Sequence, residues 1–227
     1  MFSMIRKIFF FAYGHYLGKS ALMCKLDEMY DSFDRGIRSI MISRICDVLR
    51  LNSVEYIFNY FSMCLKEDIR GLQVNLYKER YFLAILRNMI EQIIECSYLL
   101  KHPETIHDYL GDDKFEENED LMKSFKQFRS KRGREGCQKK SIRDMCEDIE
   151  TGEKAEHPFY DMYSWLSENE HNTYYVHLIE DVEGVDMGSE YNENLYNYLI
   201  GVQMLDICLH KLVDYADESI GKKCTNI

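Results

Sequence analysis

The stretch Leu72–Leu100, LQVNLYKERYFLAILRNMIEQIIECSYLL, holds neither glycine nor proline and is dense in apolar side chains. A helix over it is apolar on much of its circumference and must be covered by other elements. Its most apolar part, Tyr81 to Leu100, is interrupted by Arg87, Glu91 and Glu95. It therefore falls short of the roughly 18 uncharged apolar residues that would make a membrane span. The expectation is one long central helix of a soluble bundle, closed by His102-Pro103.

The rest of the chain reads the same way. Proline occurs only at 103 and 158, and apolar residues recur at i, i+3, i+4 over long stretches, which favours helices over a sandwich or barrel. Helices are expected over about Ser3–Leu17, Ser20–Leu49 with interruptions near Asp31, Ser32 and Asp34, and Val54–Lys66 or slightly beyond, with Asn52-Ser53 as N-cap. A short helix is expected over Ser141–Glu150. Another starts at Pro158, and a last one covers about Glu190–Asp217 with Leu195, Leu199, Val202, Leu205, Leu209 and Leu212 at helical spacing. With 227 residues, 46% hydrophobic content and no internal repeat, the expectation is a single all-α domain over 1–227. An acidic and then basic connection at about 103–157 interrupts it.

Charge is polarised along that connection. The formal net charge is −11, which argues against a protein that coats nucleic acid through its whole surface. Between Lys123 and Arg143, however, nine basic residues stand against one acid, Glu135, leaving +8 there and −19 elsewhere. The segment is either a binding surface, with Arg129, Lys131, Arg132 and Arg134 at its centre, or a solvated loop that docks on acidic surface of its own chain. The eight cysteines are spread out with no C-x-x-C pair, so reduced thiols and a cytoplasmic location are expected. The amino-terminal MFSMIRKIFFFAYGH has the charge order of a leader, but its apolar part is short for one.

Two groups of polar residues stand inside apolar surroundings. Arg87 and Glu91 lie about 40° apart on the long helix, with Tyr98 projecting between them further along. They are either an ordinary intrahelical pair or a covered one with a task. In YDMYSWLSENEHNTYY, Tyr160 to Tyr175, the residues Tyr163, Ser167 and His171 recur at i, i+4, i+8. They form either a packed aromatic face with a neutral histidine or one half of a site whose other half is Arg87 and Glu91. No metal is expected: the histidines lack H-E-x-x-H spacing, and Asp161, Glu168 and Glu170 make no carboxylate-bundle pattern. No glycine-rich phosphate loop occurs, so no nucleotide cofactor is expected.

The pair of motifs RNMIEQIIECSYLL (Arg87–Leu100) and YSWLSENEHN (Tyr163–Asn172) resembles a family of all-helical bacterial proteins known by the domain label DUF5677. There a helical R-x-x-x-E precedes a helical Y-x-x-L-S-x-x-x-H. The similarity covers roughly Tyr77 to Tyr175. The family looks like a relative of the HEPN helical bundles, many of them metal-independent ribonucleases of toxin–antitoxin and anti-phage systems and others binders of nucleotides or partner proteins. The resemblance implies a HEPN-like ribonuclease or effector, a homodimer and an antitoxin or defence partner. The usual R-x(4–6)-H motif has no counterpart before His171, where Tyr163, Trp165 and Leu166 stand; the arginine would have to be Arg87.

For such chemistry the residues suit their parts. His171 would serve as base or acid, Arg87 would clamp phosphate oxygens, Glu91 would fix Arg87, and Ser167 would orient the imidazole or meet substrate. Tyr98, Tyr163 and Asn172 would line the substrate, and RNA would be drawn in by the basic segment. The alternative is a non-catalytic sensor or adaptor bundle in which the same cluster binds a small anion, a nucleotide or a partner protein.

Overall fold

Six helical elements and a short 3-10 turn carry the structure, a computed structural model that describes residues 2–41, 53–76, 79–106, 140–150, 157–167 and 187–221. They are α1 (Phe2–Met41), α2 (Val54–Val74), α3 (Glu79–Lys101), the turn Pro103–Thr105, α4 (Ile142–Ile149), α5 (helical residues 158–167) and α6 (Met187–Gly221). Among the described residues there is no strand, so the all-α bundle is what the periodicity implied.

The apolar run that dominates the sequence is not one helix. Asn75 ends α2: its backbone N–H donates to the carbonyls of Gly71 and Leu72, both at 3.1 Å, and its side-chain amide donates to the Gly71 carbonyl at 2.8 Å. Those carbonyls would otherwise be orphaned at a helix end, and a carboxamide three or four residues on is well placed to satisfy them. The chain then re-enters helix at Glu79, and α2 and α3 pack back to back. The expected stop for the third helix near Lys66 lies a further two turns along, while its start is as expected, with the Ser53 hydroxyl accepting from the Tyr56 N–H at 3.0 Å. Conversely, the helices expected over Ser3–Leu17 and Ser20–Leu49 are one as far as Met41, and the expected end at Leu49 lies outside the described residues. One glycine, Gly18, costs a helix only about 1 kcal/mol and does not break it. Asp34 and Ser32 lie on its polar side, where Asp34 meets Lys66 and Arg38, and Ser32 Oγ stands 3.1 Å from His210 Nε2.

Side-chain pairs give the directions. Tyr30 with Arg70, Asp34 with Lys66 and Asp27 with Gln73 set α1 antiparallel to α2. Gly71 beside Ile85, with Asp68 bonded to Asn88 and Gln92, sets α2 antiparallel to α3. Lys25 with Asp206, Ser32 with His210 and Gly36 with Val213 set α6 parallel to α1, and Phe82 with Tyr198 and Leu86 with Gly201 set it parallel to α3. Each long helix thus packs on two neighbours in a four-sided bundle, α1 on α2 and α6, α3 on α2 and α6, with α2 and α6 meeting across the diagonal. Parallel neighbours cannot be joined by a tight turn. The connection from α3 to α6 therefore runs back along the bundle, and it carries α4 and α5.

The core fills the centre of that square. Phe58, Leu65, Ile69 and Leu72 from α2, Phe82, Leu86, Met89, Ile90 and Ile93 from α3, and Val202, Leu205, Leu209 and Leu212 from α6 are all buried. Burying each of these large side chains contributes about 1.5–3 kcal/mol before chain entropy is counted. Phe159, Met162 and Leu166 of α5 join the same cluster, so α5 is seated on the bundle rather than hung from it.

Candidate functional site

On α3, Arg87 Nε lies 3.3 Å from Glu91 Oε1, one turn along, with 26% and 36% of the two side chains exposed. A pair that open to solvent stabilises a helix by a few tenths of a kcal/mol, so the ion pair by itself does not explain why the residues stand there. Across from it lies α5. The Arg87 guanidinium carbon sits 5.9 Å from the centroid of the Tyr163 ring, at the outer limit of a cation–π contact. The start of the second motif is therefore brought against the first. One turn beyond Tyr163, the Ser167 hydroxyl is shut off from solvent and has no hydrogen-bond partner among the described residues.

Three features hold α5 in that place. Trp165 packs at Gly201, where an added Cβ would come within 3.2 Å of the indole and of Leu86 Cδ1. α5 can lie close to α6 and α3 at this level because residue 201 has no side chain. At the other end, the buried Glu150 carboxylate accepts the backbone N–H of Phe159 at 2.8 Å and of Tyr160 at 3.3 Å, the first-turn donors that no intrahelical carbonyl can satisfy. Burial outweighs these bonds and holds the Glu150 carboxyl above its ordinary range. The third is the pair of buried contacts made by Phe159 to Tyr215 and by the Cys208 thiol to the Pro158 carbonyl. Pro158 opens the helix as expected.

Tyr98 belongs to a different cluster. It lies three turns past Arg87, about 16 Å along the helix axis at 1.5 Å per residue. There its ring stacks at 4.7 Å on His102, with Lys140 Nζ 5.1 Å from its centroid. Around it, Lys140 Nζ bonds Asp148 Oδ2 at 2.6 Å, Lys101 Nζ bonds the Asp148 carbonyl at 2.5 Å, and His102 stands between Glu104 at 3.3 Å and Asp148 at 3.2 Å. His102 Nε2 lies off the line of a good hydrogen bond to Asp148. Lys140 holds the Asp148 carboxyl below its usual range. The C-terminal end of the basic segment is thus docked and partly neutralised: Lys140 is on Asp148, Arg143 on Glu147 at 3.0 Å, and Ser141 caps α4 by accepting the Asp144 N–H at 3.1 Å.

His171, Asn172, Arg129, Lys131, Arg132 and Arg134 lie outside the described residues. Of the expected site, the structure brings together Arg87, Glu91, Tyr163 and the turn that carries Ser167, and it sets Tyr98 apart. It also adds residues the sequence reading did not single out. Glu150 and Asp148 act on partners with no fixed spacing from them, so no local motif announces either. Asp68 on α2 takes Asn88 and Gln92 amides on one oxygen, at 3.0 and 2.7 Å; among the described residues no cation pairs with it, and burial raises its carboxyl.

Among the described residues no group of three or more His, Cys, Asp or Glu could hold a metal ion. Cys96, Cys146 and Cys208 are buried, which pushes their thiols up, Cys146 to about 12, and a thiol held protonated is a poor nucleophile. Among the described residues no helix is long and apolar enough to cross a membrane. No family model matches the chain, and neither do the curated proteins or the solved structures.

Proposed function

We propose that the protein is a HEPN-like, metal-independent ribonuclease that acts as a cytoplasmic effector in a bacterial toxin–antitoxin or anti-phage system, as a homodimer. The observation that carries this reading is the seat of Arg87 over Tyr163. It makes neighbours of two motifs that the chain separates widely, and it does so where both side chains keep some access to solvent. In this reading Arg87 holds the phosphate oxygens of RNA and Glu91 fixes the guanidinium plane. His171 exchanges the 2′-hydroxyl and leaving-group protons, with Ser167 orienting it. The basic residues Arg129, Lys131, Arg132 and Arg134 draw in the polyanion.

The test is direct. Purified protein incubated with total RNA degrades it, and His171→Ala and Arg87→Ala leave it intact while keeping the helical signal in circular dichroism. Intact RNA from all three folded proteins ends the reading. A second reading has its own support: Glu91 neutralises Arg87, and Glu95 stands one turn further on the same helix, so the cluster is poor in net positive charge. In that case the bundle is a sensor or adaptor that binds a small anion or a partner protein through Arg87. Binding by the intact, non-cleaving protein that Arg87→Ala abolishes would favour it.

A further inference from the structure

Residues 148–150 tie three elements together in succession. Asp148 is gripped from α3 by Lys101 and His102 and from the approach to α4 by Lys140. The Ile149 carbonyl accepts from the Tyr215 hydroxyl of α6 at 3.1 Å. Glu150 caps the first turn of α5, the helix that carries Tyr163 and Ser167. α4 has only eight residues, too few to hold its shape without its ends. Lys140 supplies one of those ends by reaching over the whole helix from its N-terminal side to Asp148.

The charges around this point are uneven. The C-terminal, negative ends of α3 and α4 meet here, and Glu104, Glu147, Asp148 and Glu150 add four carboxylates. Lys101 and Lys140 on one side, and Lys211 beside Glu150, are the cations that offset them. Lys140 has 45% of its side chain exposed and lies in a stretch of the chain rich in lysine and arginine. A polyanion that takes Lys140 leaves Asp148 next to like charge at the turn from which Glu150 holds α5.

We infer that the 148–150 turn couples capture of a phosphodiester polyanion at Lys140 to the seat of α5, and so to the contact between Tyr163 and Arg87. The inference rests on the ribonuclease reading only in taking that polyanion to be single-stranded RNA. Bound polyanion loosens the turn, α5 shifts against α3 and α6, and the site is reset from a position three helical turns away. Lys140, Asp148 and Glu150 are positioning residues in this scheme and touch no reacting atom.

Trp165 is the one tryptophan of the chain, and it packs on α5 against Gly201 and Leu86. Its emission therefore reports the seat of α5. Titrating the full chain with a single-stranded RNA oligonucleotide shifts that emission. Inorganic polyphosphate gives the same shift if charge alone is read and none if the nucleic acid is read. Lys140→Met binds the oligonucleotide more weakly in a filter assay and shows no shift even at saturating oligonucleotide. Asp148→Asn, which removes the charge that Lys140 offsets, rests near the RNA-free emission and moves little on titration. Absence of a shift in the wild type, or a full shift in Lys140→Met, overturns the coupling. Arg87→Ala keeps the shift and loses cleavage. Wild-type protein that shifts its emission but leaves RNA whole would sink the ribonuclease reading and leave the coupling standing.

Discussion

Two carboxylates, Asp34 at the seam of α1 and α2 and Glu150 at the junction of α4 and α5, are each held by several donors, yet they are displaced in opposite directions. Asp34 meets Lys66 and Arg38 on a partly open surface, and the Lys66 hydrogen bond, with the charge of both cations, carries its carboxyl below the ordinary 3.8. Glu150 is 6% exposed and meets backbone N–H groups, and its burial raises it above 4.5. The first joins two long helices that a core already holds. The second fixes the start of a short segment, so much of that segment's placement rests on one buried polar group. The bundle is robust where its elements are long, and the candidate site is built where they are short.

The sharpest way to test that division is to strike the core. Phe82 is fully buried on α3 against Tyr198. Phe82→Ala is expected to cost about 3–5 kcal/mol in urea unfolding and to weaken every probe together. Glu150→Ala leaves the first-turn N–H groups of α5 without their acceptor and is expected to cost about 1–3 kcal/mol. Its effect should fall first on Trp165 emission and only later on the helical signal, and simultaneous loss of both would break the distinction between bundle and junction. Ser141→Ala removes the cap of α4 and should cost about 1 kcal/mol, read as faster amide exchange over residues 142–149. Asp34→Asn, at an ion pair of the solvent-facing kind, should cost about 0.2–1 kcal/mol by the same unfolding measurement.

Acid sharpens the contrast further. The folded Asp34 carboxyl titrates below its unfolded value, so its stabilisation is whole above 3.8 and is lost only as pH falls below that. Glu150 behaves in the reverse sense. Its ionised form is the costly one, so the penalty is full at neutral pH and is relieved as pH falls through the raised folded value toward 4.5. Glu150→Gln keeps an acceptor without the charge. It keeps the bond to the Phe159 N–H and loses the one to Tyr160, since an amide NH2 cannot accept, and it is free of the charge penalty. The wild type is expected to gain stability relative to it as pH falls and Glu150 is protonated. A wild type that loses stability relative to Glu150→Gln on acidification would mean that the charge on Glu150 holds α5.

How much of this could be read beforehand follows the same line. Helical periodicity and the near-absence of proline identified the bundle, the cap at Ser53 and the start at Pro158, because each is a local rule acting on neighbouring residues. The split of Leu72–Leu100 was missed because Asn75 acts through two carbonyls, at Gly71 and Leu72, that an apolar run does not advertise. Tyr163 is brought against Arg87 with the help of the packing of Trp165 at Gly201 and the cap from Glu150. Neither depends on a spacing that a single sequence displays. Tyr98 shares a helix stripe with Arg87 and was grouped with it on that ground, yet three turns of rise put it beside His102 instead.

The parallel course of α1 and α6 reaches into how the chain is made. Lys25 and Asp206, which meet across that seam, are separated by 181 positions. A ribosome emitting the chain in order releases α1, α2 and α3 with one flank of their shared interior still open, and that flank stays greasy until α6 emerges. α6 is then the keystone of the bundle, and a nascent chain stalled before it would be prey for chaperones and proteases.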